Sequence, residues 1–200
     1  MRRVGAVLFD DFEMLDLYGP LEMFAMHRDD FAIVPIGVRT GTFRASGGPD
    51  SVATTAFSDA SGIDIILVPG GSGTRVMCQD QEFLNGLTSV CDGAEIVSSV
   101  CTGSLLLARA GLLKRRKATT NKRAYSWVVD QTDGVDWQSK ARCVVDGNRY
   151  TSSGVSAGMD MALAIIQDLI GEKAAQDAAM WAEYTWNRDA ENDPFAKDLT

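Results

Sequence analysis

Short apolar runs alternate with longer stretches of helical period along this chain. Val4–Phe9 reads as a buried strand, and Met14–Met26 as a helix with Leu15, Leu17, Leu21 and Phe24 on one side. Phe31–Ile36 is a second strand, whose Pro35 marks a sheet edge or a strand end. Residues 39–57, rich in Gly, Thr and Ser, predict a small hairpin turning at Gly47-Gly48-Pro49-Asp50. Ile63–Val68 is the strongest strand signal, and Pro69-Gly70-Gly71-Ser72-Gly73 comes directly after it. Glu82–Cys91 predicts a helix, Glu95–Val100 a strand, and Ser104–Ala110 a helix stopped by Gly111. Lys117–Thr120 then reads as a short strand, Lys122–Val129 as a helix, and 142–151 as a hairpin around Asp146-Gly147. Residues 156–170 and 172–184 form amphipathic helices, and Trp186–Thr200 a polar, irregular tail.

Strands alternating with helices imply an α/β fold, a mostly parallel sheet covered by helices on both faces. No repeat or linker divides the chain, so residues 1–200 read as one domain, with a core over about 3–184 and the tail 186–200 outside it. In such sheets the ligand site lies beyond the carboxyl ends of the strands. That rule points to the segments just after Phe9, Val68 and Val100.

Composition narrows the function. Lys and Arg total 19 against 27 Asp and Glu, a net charge of −8, which argues against nucleic acid or an anionic membrane surface as partner. No run approaches the roughly 20 apolar residues of a membrane span, and the short apolar run after Met1-Arg2-Arg3 does not make a signal peptide. The four cysteines form no CxxC pattern and are expected as reduced thiols in a cytoplasmic protein. One histidine, His27, excludes a histidine-rich metal site within one subunit, and neither a metal nor a cofactor is expected. A Ser-His-Asp mechanism would rest on His27 alone.

Cys101 stands directly after an apolar strand and directly before a helix, in Val97-Ser-Ser-Val-Cys101-Thr-Gly-Ser. A helix N-terminus beside a thiol favours the thiolate, and Gly103 would leave room around the sulfur. Position alone leaves a reactive thiol balanced against a small buried hydrophobe. Gly70 and Gly71 should meet Cys101 at the same sheet edge, where the N–H groups of Gly71 and Thr102 could hold a developing negative charge; a plain turn fits the same residues. Asp16, flanked by Leu15 and Leu17, is either a capping or paired acid or a carboxyl whose pKa burial raises to suit acid–base work. Gly154-Val155-Ser156-Ala157-Gly158 fits the serine elbow G-x-S-x-G, but no histidine follows it, so Ser156 is assigned to capping a helix instead. Ser152, Ser153 and Gly154 approach Cys101 if their loop leaves the same edge.

Taken together, Asp16-Leu-Tyr-Gly-Pro20, Pro69-Gly-Gly-Ser-Gly73, Ser99-Val-Cys-Thr-Gly-Ser104, Ala118-Thr-Thr120 and Gly154-Val-Ser-Ala-Gly158 resemble the ThiJ/PfpI superfamily, of the class I glutamine amidotransferase-like type. The likeness runs from about Val4 to Tyr184 and is nearest to the isocyanide-hydrating branch. It implies a flavodoxin-like sandwich, a homodimer, and a nucleophile, Cys101, on a strained elbow. It carries over Asp16 as acid–base residue and Thr102 as a neighbour needed for activity, with substrate and polarised intermediate held around Gly70, Gly71, Ser153, Gly154 and Val155. Relatives have His where Asn121 follows Ala118-Thr-Thr120, and peptidase-like members have His where Thr102 stands. That second absence argues against a peptidase and against a glyoxalase-like reaction using Glu and His.

The expected activity is therefore hydration of a small organic isocyanide to an N-formamide through a thioimidate on Cys101. The alternatives are a redox-responsive or ligand-sensing protein without catalysis, and a small amidase, because an activated thiol beside N–H donors also suits acyl transfer.

Overall fold

Val4–Leu8, Ile65–Val68 and Ile96–Val100 are apolar or small at nearly every position, and all are buried, as central parallel strands covered on both faces must be. The computed structural model describes residues 1–198; the last two residues of the expected tail lie outside the described residues. In chain order the elements are β1 (Arg2–Leu8), α1 (Met14–Ala25), β2 (Phe31–Gly37), β3 (Gly41–Phe43), β4 (Ser51–Ala53), β5 (Thr55–Ala56), β6 (Ile65–Val68), α2 (Thr74–Met77), α3 (Gln81–Cys91), β7 (Ile96–Val100), α4 (Gly103–Arg109), β8 (Lys117–Ala118), α5 (Tyr125–Asp130), β9 (Asp136–Trp137), β10 (Cys143–Asp146), β11 (Arg149–Ser152), α6 (Ala157–Ile170) and α7 (Glu172–Trp181).

Seven strands form the main sheet in the order β10-β11-β7-β6-β1-β2-β5, with only β10 antiparallel to its neighbour. Helices α1, α6 and α7 pack together in one layer, and α2, α3 and α4 in the other. The chain runs outward from β1 to β2 on one side and from β6 to β7 on the other. The switch point of the sheet therefore lies between β1 and β6, the place where a crevice opens beyond the strand ends. The segments after β1, β6 and β7 all reach it.

The expected elements hold, with local differences. Hairpin β3–β4 forms beside the main sheet, while β5, predicted inside that hairpin region, becomes its edge strand beside Pro35. Leu17, Leu21 and Phe24 are buried as the apolar spacing of α1 predicts, but Leu15 is 42% exposed and Asp16 is fully buried beside them. Gly73 leads into α2, a four-residue helix with too little periodicity to be read from sequence. The helix expected from Lys122 starts at Tyr125, because Asn121 Oδ1 accepts the Ala124 N–H and turns the chain first.

The tail is not a loose appendage. Ala190 C=O accepts the N–H groups of Arg142 and Cys143 at 2.8 and 3.1 Å, and Asp193 N–H donates to Lys140 C=O at 2.7 Å. Residues Pro194–Asp198 close as a 3-10 turn. Beneath the tail lies a buried ion cluster: Arg142 Nε donates to Asp160 Oδ2 at 2.7 Å, and Arg142 Nη1 lies 3.8 Å from Asp193 Oδ2. Tyr184 Oη and Asn187 N–H both donate to Asp160 Oδ1 at 2.9 Å. Composition reads this segment as polar and irregular; two of its charges, Arg188 and Asp193, nonetheless reach partners far away in sequence, Glu172 and Arg142.

Candidate active site

Cys101 occupies a left-handed backbone at the end of β7, φ +58, a conformation that non-glycine residues rarely adopt. It costs on the order of 1–3 kcal/mol and persists only when its surroundings over-determine it. Here they do. The Cys101 N–H is shared between Ser152 C=O at 3.2 Å and Ser153 C=O at 3.1 Å. The Cys101 C=O accepts both Ser104 Oγ and Thr120 Oγ1 at 3.0 Å. Both backbone groups at the elbow are thus pinned, by the end of β11, by α4 and by the segment after β8.

Gly103 serves that turn in a different way from the one expected. A Cβ there would collide with Val68 C=O and fall 2.7 Å from Pro69 C=O, so the glycine lets α4 approach the end of β6 rather than clearing space around the sulfur.

Asp16 reaches the same place from the first turn of α1. Gly70 ties that turn down from both sides: Gly70 N–H donates to Asp16 Oδ2 at 2.9 Å, and Gly70 C=O accepts the Glu13 N–H at 2.8 Å. The other oxygen, Oδ1, has no nitrogen or oxygen donor among the described residues; the Cys101 thiol is the neighbour that offsets part of the carboxyl's burial. Burial pushes the Asp16 carboxyl up from 3.8 to about 7, and the Gly70 N–H and the thiol oppose that rise. Among the described residues no cation pairs with it.

The sulfur differs from the expectation. Cys101 is 7% exposed, and burial together with the nearby Asp16 charge pushes its thiol well above the ordinary cysteine range. Hydrogen bonds from the Thr102 N–H, the Asn121 side chain and the Thr102 hydroxyl pull the other way without winning. Both effects work against the thiolate that a helix N-terminus alone would favour, and α4, only seven residues long, has a small dipole to set against them. Cys101 is a thiol with a base beside it.

The glycine turn also departs in detail. Gly71, at φ +121, donates its N–H to Thr102 Oγ1 at 3.2 Å, and Thr74 Oγ1 donates to the same oxygen at 3.1 Å. Gly70 and Gly71 therefore spend their N–H groups on Asp16 and Thr102, not on an open anion hole. The donors that face the sulfur are the Thr102 N–H and hydroxyl and Asn121. Ser153 and Gly154 arrive as expected, since a Cβ on Gly154 would lie 3.3 Å from Cys101 Sγ and collide with Asn121 Nδ2. Val155 lines the adjoining cavity. Ser156 precedes α6 but makes no cap hydrogen bond; its hydroxyl accepts from Arg142 Nη2 at 3.5 Å. His27 is hydrogen-bonded through Nε2 to Ala174 C=O of α7 at 3.0 Å.

A cavity of about 340 Å³ adjoins this site; Leu15, Asn121, Ser153, Gly154, Val155 and Phe195 are among its walls, and Gly154 is its link to the sulfur. Sequence reasoning missed Asn121, Leu15 and Phe195 as site residues. Asn121 carried a signal, its place directly after Ala118-Thr119-Thr120. Phe195 carried none, because the backbone bonds and ion cluster that dock the tail bring it there.

Residues 2–168 match the DJ-1/PfpI family, and the chain belongs to it. Among its relatives, isonitrile hydratase of Pseudomonas putida is 36% identical over 188 residues, covering 91% of this chain and 78% of that protein. A crystal structure of a ThiJ/PfpI family protein from Pseudomonas syringae superposes with a TM-score of 0.80 at 28% identity, over 93% of this chain and 76% of that one. Drosophila melanogaster DJ-1beta shares the fold, with a TM-score of 0.79 at 18% identity over 92% of this chain and 99% of that one. No helix among the described residues is long and apolar enough to cross a membrane.

Proposed function

We propose that this protein hydrates organic isocyanides to N-formamides, with Cys101 as nucleophile and Asp16 as the one proton carrier. The carrying observation is the buried pair itself: a thiol beside a carboxyl titrating near 7, with the chain's only histidine tied to α7. Likeness to the isonitrile hydratase of Pseudomonas putida supports the substrate class.

In this reading Asp16 takes the thiol proton as Cys101 Sγ attacks the terminal isocyanide carbon. The new C–S bond leaves an electron pair on that carbon, and Asp16 returns the proton to it, giving a thioimidate. Asp16 next removes a proton from water as its oxygen adds to the thioimidate carbon, and passes that proton to the imine nitrogen, leaving the hydroxyl proton of the adduct for the sulfur. The C–S bond then breaks, the carbonyl forms, and the sulfur recovers its proton. One isocyanide and one water become one formamide. A neutral thiol needs a base at the moment of attack, and a carboxyl titrating near 7 is available as one at neutral pH. Thr102 positions the sulfur through its N–H and hydroxyl, and Asn121 is a further donor to it. Gly70 and Gly71 hold Asp16 and Thr102 in place, while Ser153, Gly154 and Val155 border the substrate. The homodimer belongs to the same reading; exposed Met180 and Trp181 on α7 provide apolar surface for it, and light scattering tests it.

The experiment is turnover of an aryl isocyanide by purified protein, followed by formamide absorbance against a Cys101→Ala control. Formamide production above that control is expected. No difference between the two dismisses the activity, and selective sulfinate formation at Cys101 under mild peroxide would then favour a redox-responsive role.

A further inference from the structure

The cavity beside Cys101 differs in charge from the chain that forms it. Acidic residues outnumber basic ones by 27 to 19 overall, yet among the described residues no carboxylate lines this cavity. Its apolar walls come from Leu15, Val155 and Phe195, and its cations are Lys122 and Arg123. The two cations are not equivalent. Lys122 Nζ is spent on Thr119 Oγ1 at 2.8 Å and Ala141 C=O at 2.5 Å, and it faces the Asp193 charge. Arg123 is exposed, and its side chain has neither an ion pair nor a hydrogen bond among the described residues. It lies two residues beyond Asn121, whose amide bonds the sulfur. Arg123 lines the same cavity as Gly154, where an added Cβ would lie 3.3 Å from Cys101 Sγ, so one small molecule there can meet the guanidinium at one end and the thiol at the other.

We infer that the substrate taken by this site is an isocyanide that also carries a carboxylate. This rests on the hydratase reading and extends it to the substrate's other end. The carboxylate docks on the planar donor fork of Arg123, the apolar body lies against Leu15, Val155 and Phe195, and the isocyano carbon is directed to Sγ. Asp16, buried behind the cavity wall beside the sulfur, reinforces the orientation, because its negative charge disfavours a carboxylate entering the other way round. A neutral isocyanide has apolar burial alone and no such polarity of binding.

The test is calorimetric binding to the Cys101→Ala variant, which holds ligand without consuming it, with phenyl isocyanide and 4-isocyanobenzoate as probes. The carboxylated probe is expected to bind about tenfold tighter at low salt, the size of one charge-assisted contact. That advantage should shrink in roughly 1 M salt, vanish when Arg123→Gln is added, and partly return with Arg123→Lys. Equal binding of the two probes, or a preference that survives Arg123→Gln, overturns the inference. Binding is read without turnover, so absence of formamide from both isocyanides with the unaltered protein sinks the hydratase reading and leaves the anion preference to its own result.

Discussion

The Cys101 thiol shares its buried site with the Asp16 carboxyl, and the two ionisations are linked in opposite senses: the Asp16 charge pushes the thiol up, while the thiol's hydrogen bond draws the carboxyl down toward its ionised form. Above about pH 7 the carboxyl is the group that gives up its proton first, and it is then free to take the one on sulfur.

The first consequence is a pH profile. Asp16 accepts the thiol proton only when ionised, so kcat/KM for an aryl isocyanide should rise as pH passes through about 7. Asp16→Asn should abolish that limb and lower the rate by roughly 10²–10⁴-fold. A rising limb that persists in the variant would assign the titration to another group.

The same carboxyl weakens the fold. Its folded pKa of about 7 lies above the ordinary 3.8, so the native state disfavours the charged form; the penalty is absent below 3.8 and complete above about 7. Asp16→Asn should therefore raise Tm at about pH 8, by an amount on the order of a few kcal/mol in stability, and change it little at about pH 4. A lower Tm at the alkaline pH would mean that the Gly70 and Cys101 contacts outweigh burial.

Gly154 and Gly71 should fail differently. Gly154→Ala drives a methyl into Asn121 Nδ2, displacing a donor from the sulfur; turnover should fall about 10- to 100-fold, the worth of one hydrogen bond to a charged group, with a modest change in Tm. Gly71→Ala sets a Cβ against Asp11 C=O at φ +121 and should first reduce stability. Parallel melting curves and rates separate the two.

Removing the guanidinium beneath the tail should be costly. Arg142→Met leaves Asp160 and Asp193 as buried acids without their cation, a loss of roughly 3–5 kcal/mol readable from urea midpoints. A variant as stable as the parent would show that these acids become protonated or hydrated without penalty.

Phe195 is 59% exposed yet borders the cavity. Phe195→Ala should raise KM for aryl isocyanides by about 10-fold, the scale of modest apolar discrimination, with kcat much less affected. Equal KM values would remove Phe195 from the substrate wall.

Much of this was legible in the sequence because strand ends announce themselves. Val68 and Val100 close apolar runs before Gly70 and Cys101, and the topology of parallel sheets brings such ends together. Asp16 was legible as an acid among apolar neighbours, although its helical face was not, since Leu15 turns outward to the cavity. The charge state of Cys101 was not legible, because it depends on how completely other elements exclude water and on a carboxylate 85 positions earlier in the chain. Nor were the Arg142 cluster and Phe195, which need a polar tail to fold back onto β10.

Ser153 joins these two worlds: its C=O holds the Cys101 N–H, while its own N–H is held by Arg142 C=O at 2.7 Å. A mutational survey scored on turnover alone would consequently count substitutions at Ala190 or Asp193 as chemical lesions. They would be architectural ones, transmitted through a single serine peptide to a sulfur they never touch.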